Sequence, residues 1–210
     1  PYNRETYKRQ LFDLLKKLKV KTPVDLVGHS FGGAMVADFT AQYPALVRRL
    51  VLLSPVINSI ANDTGIKLAR IPYLGALIAR IIMVRVTSKR AAKLFHDTGN
   101  FAPKFNKLFH EQTLYKGFER SMLAMFRSNA LRNYLSAYRD LGKQKQETML
   151  VWGRKDKDIT KKRIQEVRTA IGKTLEFHEL KESGHSPNLK EPKVFNSLLL
   201  QFLTRRGSTQ

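Results

Sequence analysis

The chain has 210 residues, 42% hydrophobic and 26% charged, enough for a sizeable core, and this composition excludes disorder as its general character. It contains no cysteine, which excludes disulfide frameworks, thiolate metal sites and cysteine nucleophiles and fits a reducing compartment. Lys and Arg number 38 against 17 Asp and Glu, a formal net charge of +21; such a surface attracts phosphates on nucleic acid or an anionic bilayer and says nothing of reaction chemistry.

Residues 3–19 carry apolar positions at Tyr7, Leu11, Leu14, Leu15 and Leu18, the spacing of a helix with one buried face. Val24–Val27 then reads as a short strand running into Gly28-His29-Ser30-Phe31-Gly32-Gly33. A second helix follows with Met35, Val36, Phe39 and Tyr43 on one face, stopped by Pro44. Asp38, inside that helix, reads as solvated. Leu50–Leu53 is four aliphatics without alternation, which suits a parallel strand buried on both faces. Strand, helix and strand at this spacing make a βαβ unit.

From residue 57 to residue 145 the pattern turns helical, with breaks at Gly65, Pro72, Gly99, Pro103 and Gly117 and sixteen Lys and Arg against five Asp and Glu, a surplus of eleven. This reads as an inserted cap. Its most apolar stretch, Ile71–Val86, is interrupted by Arg80 and Arg85 and is too short to span a bilayer. Strands and helices alternate again afterwards: Met149–Trp152 a strand, Lys161–Ile171 a helix, Thr174–Leu180 a strand, and Glu191–Arg205 a helix with Pro192 in its first turn. The tail from Arg205 to Gln210 is expected to fray. The organisation expected is an α/β core, residues 1–56 and 146–210, with a mostly parallel sheet flanked by helices and a helical cap over residues 57–145.

Gly28-His29-Ser30-Phe31-Gly32 matches G-x-S-x-G directly after a strand and before a helix. A nucleophilic serine needs that context: a sharp strained turn projects its hydroxyl from the sheet edge, and glycines two before and two after let the neighbouring backbones pass closely. The helix N-terminus adds positive potential where an oxyanion develops, with the Phe31 N–H as expected donor. The competing reading is a Gly-rich turn with no chemistry. A serine hydroxyl requires a base, and the base an orienting acid. Asp156, in Trp152-Gly153-Arg154-Lys155-Asp156, and His185, in Ser183-Gly184-His185-Ser186-Pro187, each follow a strand, in the chain order Ser, Asp, His.

These segments resemble the α/β-hydrolase superfamily, in its capped lipase/esterase-like and carbon–carbon-bond hydrolase branches, whose members show G-H-S-x-G-G, then W-G-x-x-D after the cap, then G-H near the end. The resemblance covers essentially the whole chain and implies Ser30 as nucleophile, Asp156 as acid and His185 as base. Asp158 competes with Asp156, and the family pattern favours Asp156. Some relatives carry the acid after the strand matching Leu50–Leu53, where this chain offers Ser54 and Asn58. His29 is expected to be structural, because the residue before the nucleophile points away from the substrate; His96, His110 and His178 read as surface or core histidines, with no partner expected for His178, and Trp152 reads as packing. A serine at the turn argues against haloalkane dehalogenases, which place a carboxylate there.

The family fold has about eight strands and this chain supplies four, with the nucleophile after the first. The upstream strands would also carry the second oxyanion donor, often marked by H-G or G-G. The chain is therefore expected to be a fragment of a protein longer by about a hundred residues at the N-terminus, so catalysis by this stretch alone does not follow. The leading expectation is hydrolysis of a carboxylic ester through an acyl-serine intermediate, with an apolar acyl substrate shaped by cap residues such as Phe95, Phe101, Phe105, Phe109, Tyr115, Phe118, Met122, Met125 and Phe126. The alternatives are a carbon–carbon-bond or amide hydrolase with the same triad, and a protein whose basic cap docks on an anionic membrane through Ile71–Arg90. No metal, cofactor or nucleic-acid partner is expected.

Overall fold

The four expected strands pair as one parallel sheet in the computed structural model, which describes residues 2–57, 67, 70, 71, 73–96, 98 and 101–205. The expected breaks at Gly65, Pro72 and Gly99, the side chains of Arg80, Arg90 and Phe95, and the tail past Arg205 lie outside the described residues. The strands are β1 (Val24–His29), β2 (Val47–Leu53), β3 (Thr148–Gly153) and β4 (Leu175–Leu180), in the order β1-β2-β3-β4. All three pairings are parallel, with Leu26 opposite Leu50, Leu52 opposite Leu150, and Leu150 opposite Phe177. Parallel neighbours end at a common edge, so the loops after β1, β3 and β4 emerge together.

The helices are α1 (Arg4–Lys17), α2 (Phe31–Gln42), α3 (Leu74–His96), α4 (Ala102–Thr113), α5 (Phe118–Arg127), α6 (Leu135–Lys143), α7 (Lys161–Ile171), α8 (Pro187–Lys190) and α9 (Pro192–Thr204). Pro103, expected as a break, lies in the first turn of α4, where a missing N–H costs no intrahelical bond. Two compact units result: residues 1–15 with 58–133, and residues 16–57 with 134–210.

The second unit holds the sheet and two apolar layers. On one face Ala34, Ala37, Leu50, Leu52, Tyr134, Tyr138, Leu150, Trp152 and Ile164 form the larger core; on the other Val51, Leu53, Met149, Val151 and Leu180 meet Phe195 and Phe202 of α9. β3 is buried along its whole length and β2 at every position but Arg48. β1 has β2 as its one partner among the described strands, and Val27 is 47% exposed. The expectation for Asp38 is corrected: it is 6% exposed, within the run Ala37–Thr40 of α2 that is buried throughout.

In the first unit, α3 packs on α4 and α5, and Leu123 with Met122 and Phe126 forms a small apolar cluster. Gly117 (φ 94) turns the chain into α5. The stripe expected on α1 is only half covered: Leu14 in this unit is 50% exposed, and Leu18, beyond the helix, is 63% exposed.

At the N-terminal edge of the sheet, Arg49 of β2 is fastened on three sides. Its Nε donates to Glu147 Oε2 at 2.7 Å, Nη1 to the Leu203 carbonyl at 2.8 Å and Nη2 to the Arg205 carbonyl at 2.8 Å. The side chain is 3% exposed, so a guanidinium closes the C-terminal end of α9 from within the protein. Arg49→Met removes the donors, leaving the Leu203 carbonyl with Arg48 Nη2 at 3.4 Å and taking from the Arg205 carbonyl its guanidinium partner, while Glu147, 54% exposed, rehydrates. A loss of about 1–3 kcal/mol is expected, read as a lower urea midpoint at unchanged slope; an unchanged midpoint would show that the fastening contributes nothing.

Candidate active site

Ser30 sits between β1 and α2 with φ 53 and ψ −119, a conformation non-glycine residues rarely hold. Its backbone is gripped on both sides: the N–H donates to the Leu53 carbonyl at 2.8 Å, and the carbonyl accepts from Val56 N–H at 3.0 Å and Ala34 N–H at 3.3 Å. Close passage is enforced by glycine. A Cβ on Gly28 would lie 2.4 Å from Val36 Cγ2 and 2.7 Å from the Gly32 carbonyl oxygen. The second tight glycine is Gly33, not Gly32 as the motif suggested. A Cβ on Gly33 would meet Gly28 and Pro55 at 3.0 Å, whereas one on Gly32 would find nothing within 4 Å.

His185 and Asp156 arrive at the same sheet edge from the loops after β4 and β3. His185 Nε2 is 2.9 Å from Ser30 Oγ, and its Nδ1 is 2.9 Å from Asp156 Oδ2. The carboxylate accepts Nδ1–H, which leaves Nε2 to accept the Ser30 hydroxyl proton. Asp156 is 7% and His185 8% exposed. Gly153 makes the approach possible, since a Cβ there would stand 2.1 Å from the Gly184 carbonyl oxygen. Phe31 opens α2 directly after Ser30, which puts its backbone N–H at the positive end of the helix.

Asp158 does not take the acid's place. Its backbone N–H donates to Asp156 Oδ1 at 2.9 Å, as does that of Ile159 at 2.9 Å. Trp152 Nε1–H donates to the Ile159 carbonyl at 2.8 Å and so braces this turn from β3. His178, expected to lack a partner, is 2.6 Å from Glu176 Oε1. Ligand atoms of Asp156, Asp158 and His185 lie within 4.8 Å of one another, a metal-like grouping, but both His185 nitrogens are engaged in the line from Asp156 to Ser30. Sequence reasoning missed one contact: His29 Nε2 lies 2.8 Å from the His185 carbonyl oxygen. Only the position of His29 beside Ser30 could have hinted at it.

Burial pushes the Asp156 carboxyl up, but the hydrogen bond and charge of His185 and the amides of Ile159 and Asp158 outweigh it and hold its pKa below the ordinary carboxylate value. A carboxylate depressed on folding stabilises the protein above its unfolded pKa, about 3.9, and loses that contribution as pH falls through the folded value. The stability difference between parent and Asp156→Asn should therefore shrink as the pH is lowered from about 5 to about 2. Urea midpoints of both proteins across that range test this; a difference independent of pH would contradict it.

The sequence profile of the alpha/beta hydrolase family matches residues 1–198. A 2-hydroxymuconate semialdehyde hydrolase of Pseudomonas putida is 27% identical over 183 residues, 85% of this chain and 62% of its own length. A 2-hydroxy-6-oxo-2,4-heptadienoate hydrolase of Pseudomonas putida is 26% identical over 205 residues, 96% of this chain and 71% of its own. Among solved structures, the enol-lactonase of Burkholderia xenovorans LB400 superposes with a TM-score of 0.77 at 16% identity, over 98% of this chain and 74% of that one. The chain thus spans 62% of the length of the first of these relatives. With the profile matched over nearly the whole chain, the chain belongs to the alpha/beta hydrolase family.

Proposed function

We propose that the protein hydrolyses an acyl compound through a covalent acyl-serine intermediate, with Ser30 as nucleophile, His185 as base and Asp156 as the acid that orients it. One observation carries this reading: an unbroken hydrogen-bonded line runs from Asp156 through His185 to a serine in a strained turn. In the first half-reaction His185 Nε2 takes the Ser30 proton as Oγ bonds to the carbonyl carbon and the C=O electrons move onto oxygen. The oxyanion returns those electrons, the bond to the leaving group breaks, and His185 gives that group its proton. Water then repeats the cycle, losing a proton to His185 and releasing the acid. The Phe31 N–H is the proposed oxyanion donor; one such donor stabilises the transition state by roughly 2.7–4 kcal/mol.

A fluorophosphonate probe is expected to label the parent at Ser30, to leave Ser30→Ala unlabelled, and to react far more slowly with His185→Ala. Labelling at another residue, or equal labelling of Ser30→Ala, would overturn the reading.

The relatives named as hydrolases of oxo-acids support a second reading, in which the bond cleaved is carbon–carbon beside a carbonyl. The same line of residues serves both, and the leaving group differs: an alkoxide for an ester, a stabilised carbanion for an oxo-acid. Turnover of p-nitrophenyl esters against a 2-hydroxy-6-oxo-dienoate separates them. The two-step ester reading predicts the higher kcat/KM on the esters, and preference for the oxo-acid favours the second.

A surface role would accompany either activity. No helix among the described residues is long and apolar enough to cross a membrane. Exposed Arg70, Arg85, Lys89 and Lys93 share one segment with exposed Ile71, Tyr73, Leu77 and Val86, a composition that supports docking on an anionic bilayer. Co-sedimentation with vesicles is expected to rise with phosphatidylserine content; indifference to lipid charge would remove the idea.

A further inference from the structure

Two consecutive residues at the end of β1 grip His185 from different sides. Ser30 Oγ meets the ring at Nε2, and His29 meets the main chain, its Nε2 lying 2.8 Å from the His185 carbonyl oxygen. A carbonyl can only accept, so His29 donates and carries its proton on Nε2. The two rings lie 4.9 Å apart between centroids, inclined at 54°. His185 itself belongs to no helix or strand; it projects from the loop between β4 and α8. A base on a loop is only as well placed as its Cα, and a displacement of about 1 Å can cost on the order of a hundredfold in rate. Asp156 fixes the far side of the ring but not the backbone that carries it.

We propose that His29 is a positioning residue whose Nε2–H ties the main chain at His185 to the end of β1 and so sets the distance at which base and serine meet. This deepens the acyl-serine reading and rests on it. Although His29 as a whole is exposed, its Nε2 edge packs on the base's loop. That local burial, followed by the nearness of His185, lowers its proton affinity against the opposing pull of the carbonyl and of Asp156. The ring therefore favours its neutral form, which suits a single donated proton and adds no charge beside an imidazolium forming on His185.

The test compares the parent with His29→Gln, which keeps a donor at the end of a side chain of similar reach, and His29→Leu, which keeps bulk and removes the donor. With p-nitrophenyl acetate, His29→Leu is expected to lower kcat on the order of 10- to 100-fold with KM within about twofold, and His29→Gln to recover most of the loss. Backbone amide exchange of residues 183–186 should accelerate in His29→Leu and stay near the parent rate in His29→Gln. Parent-like kcat in His29→Leu, or equal losses in both variants, overturns the inference. Should Ser30→Ala match the parent on the ester, the acyl-serine reading fails by itself. Loop exchange then decides the His29 tie: faster exchange in His29→Leu alone upholds it, and parent-like exchange rejects it.

Discussion

A single negative charge with almost no water around it governs the geometry of this site. Asp156 has one carboxylate oxygen occupied by two backbone N–H groups, from Asp158 and Ile159, which leaves the other directed at His185. The turn supplying those amides is held to β3 by the Trp152 indole. The indole is therefore more than filler: it fixes the turn that fixes the carboxylate, which in turn decides the tautomer and direction of the imidazole. Burial alone would neutralise such a group; the donors around it keep it ionised.

Around that charge the chain accepts unfavourable backbone geometry. Ser30 at φ 53 and Ser54 at φ 39 both lie in a region that side chains avoid, and each follows a strand of the same pair. Such residues cost on the order of 1–3 kcal/mol each and persist where surrounding structure over-determines them. Three hydrogen bonds to the Ser30 backbone and the tight packing at Gly28 and Gly33 provide that constraint. The opposite edge of the sheet is built on fastening, with Arg49 closing the end of α9. One edge is tied down by a buried cation while the other carries the strained turn and the hydrogen-bonded line from Asp156 through His185 to Ser30.

Much of the architecture could be read from the chain because short strand-like segments alternate with helix-period segments at the spacing of βαβ units. Helix α7 runs from Lys161 to Ile171 as expected, and β3 and β4 differ from expectation by a residue or so at their ends. The order of Ser30, Asp156 and His185 was legible for the same reason. Each follows a strand, and parallel strands deliver their following loops to one edge. Leu14 and Asp38 were misjudged for a common cause: periodicity reports which positions share a face, not what covers that face.

The sequence by itself determined the βαβ alternation, the strained serine turn and the three side chains that could meet, since these follow from local pattern and from parallel topology. Only the tertiary structure decided that Gly33 rather than Gly32 is the tight glycine, that Arg49 closes α9, and that His29 holds the backbone of His185. Those outcomes depend on distances between segments more than 150 residues apart, or on how closely a helix sits on its sheet. Such distances are set by the packing of whole layers, and no short stretch of sequence encodes them.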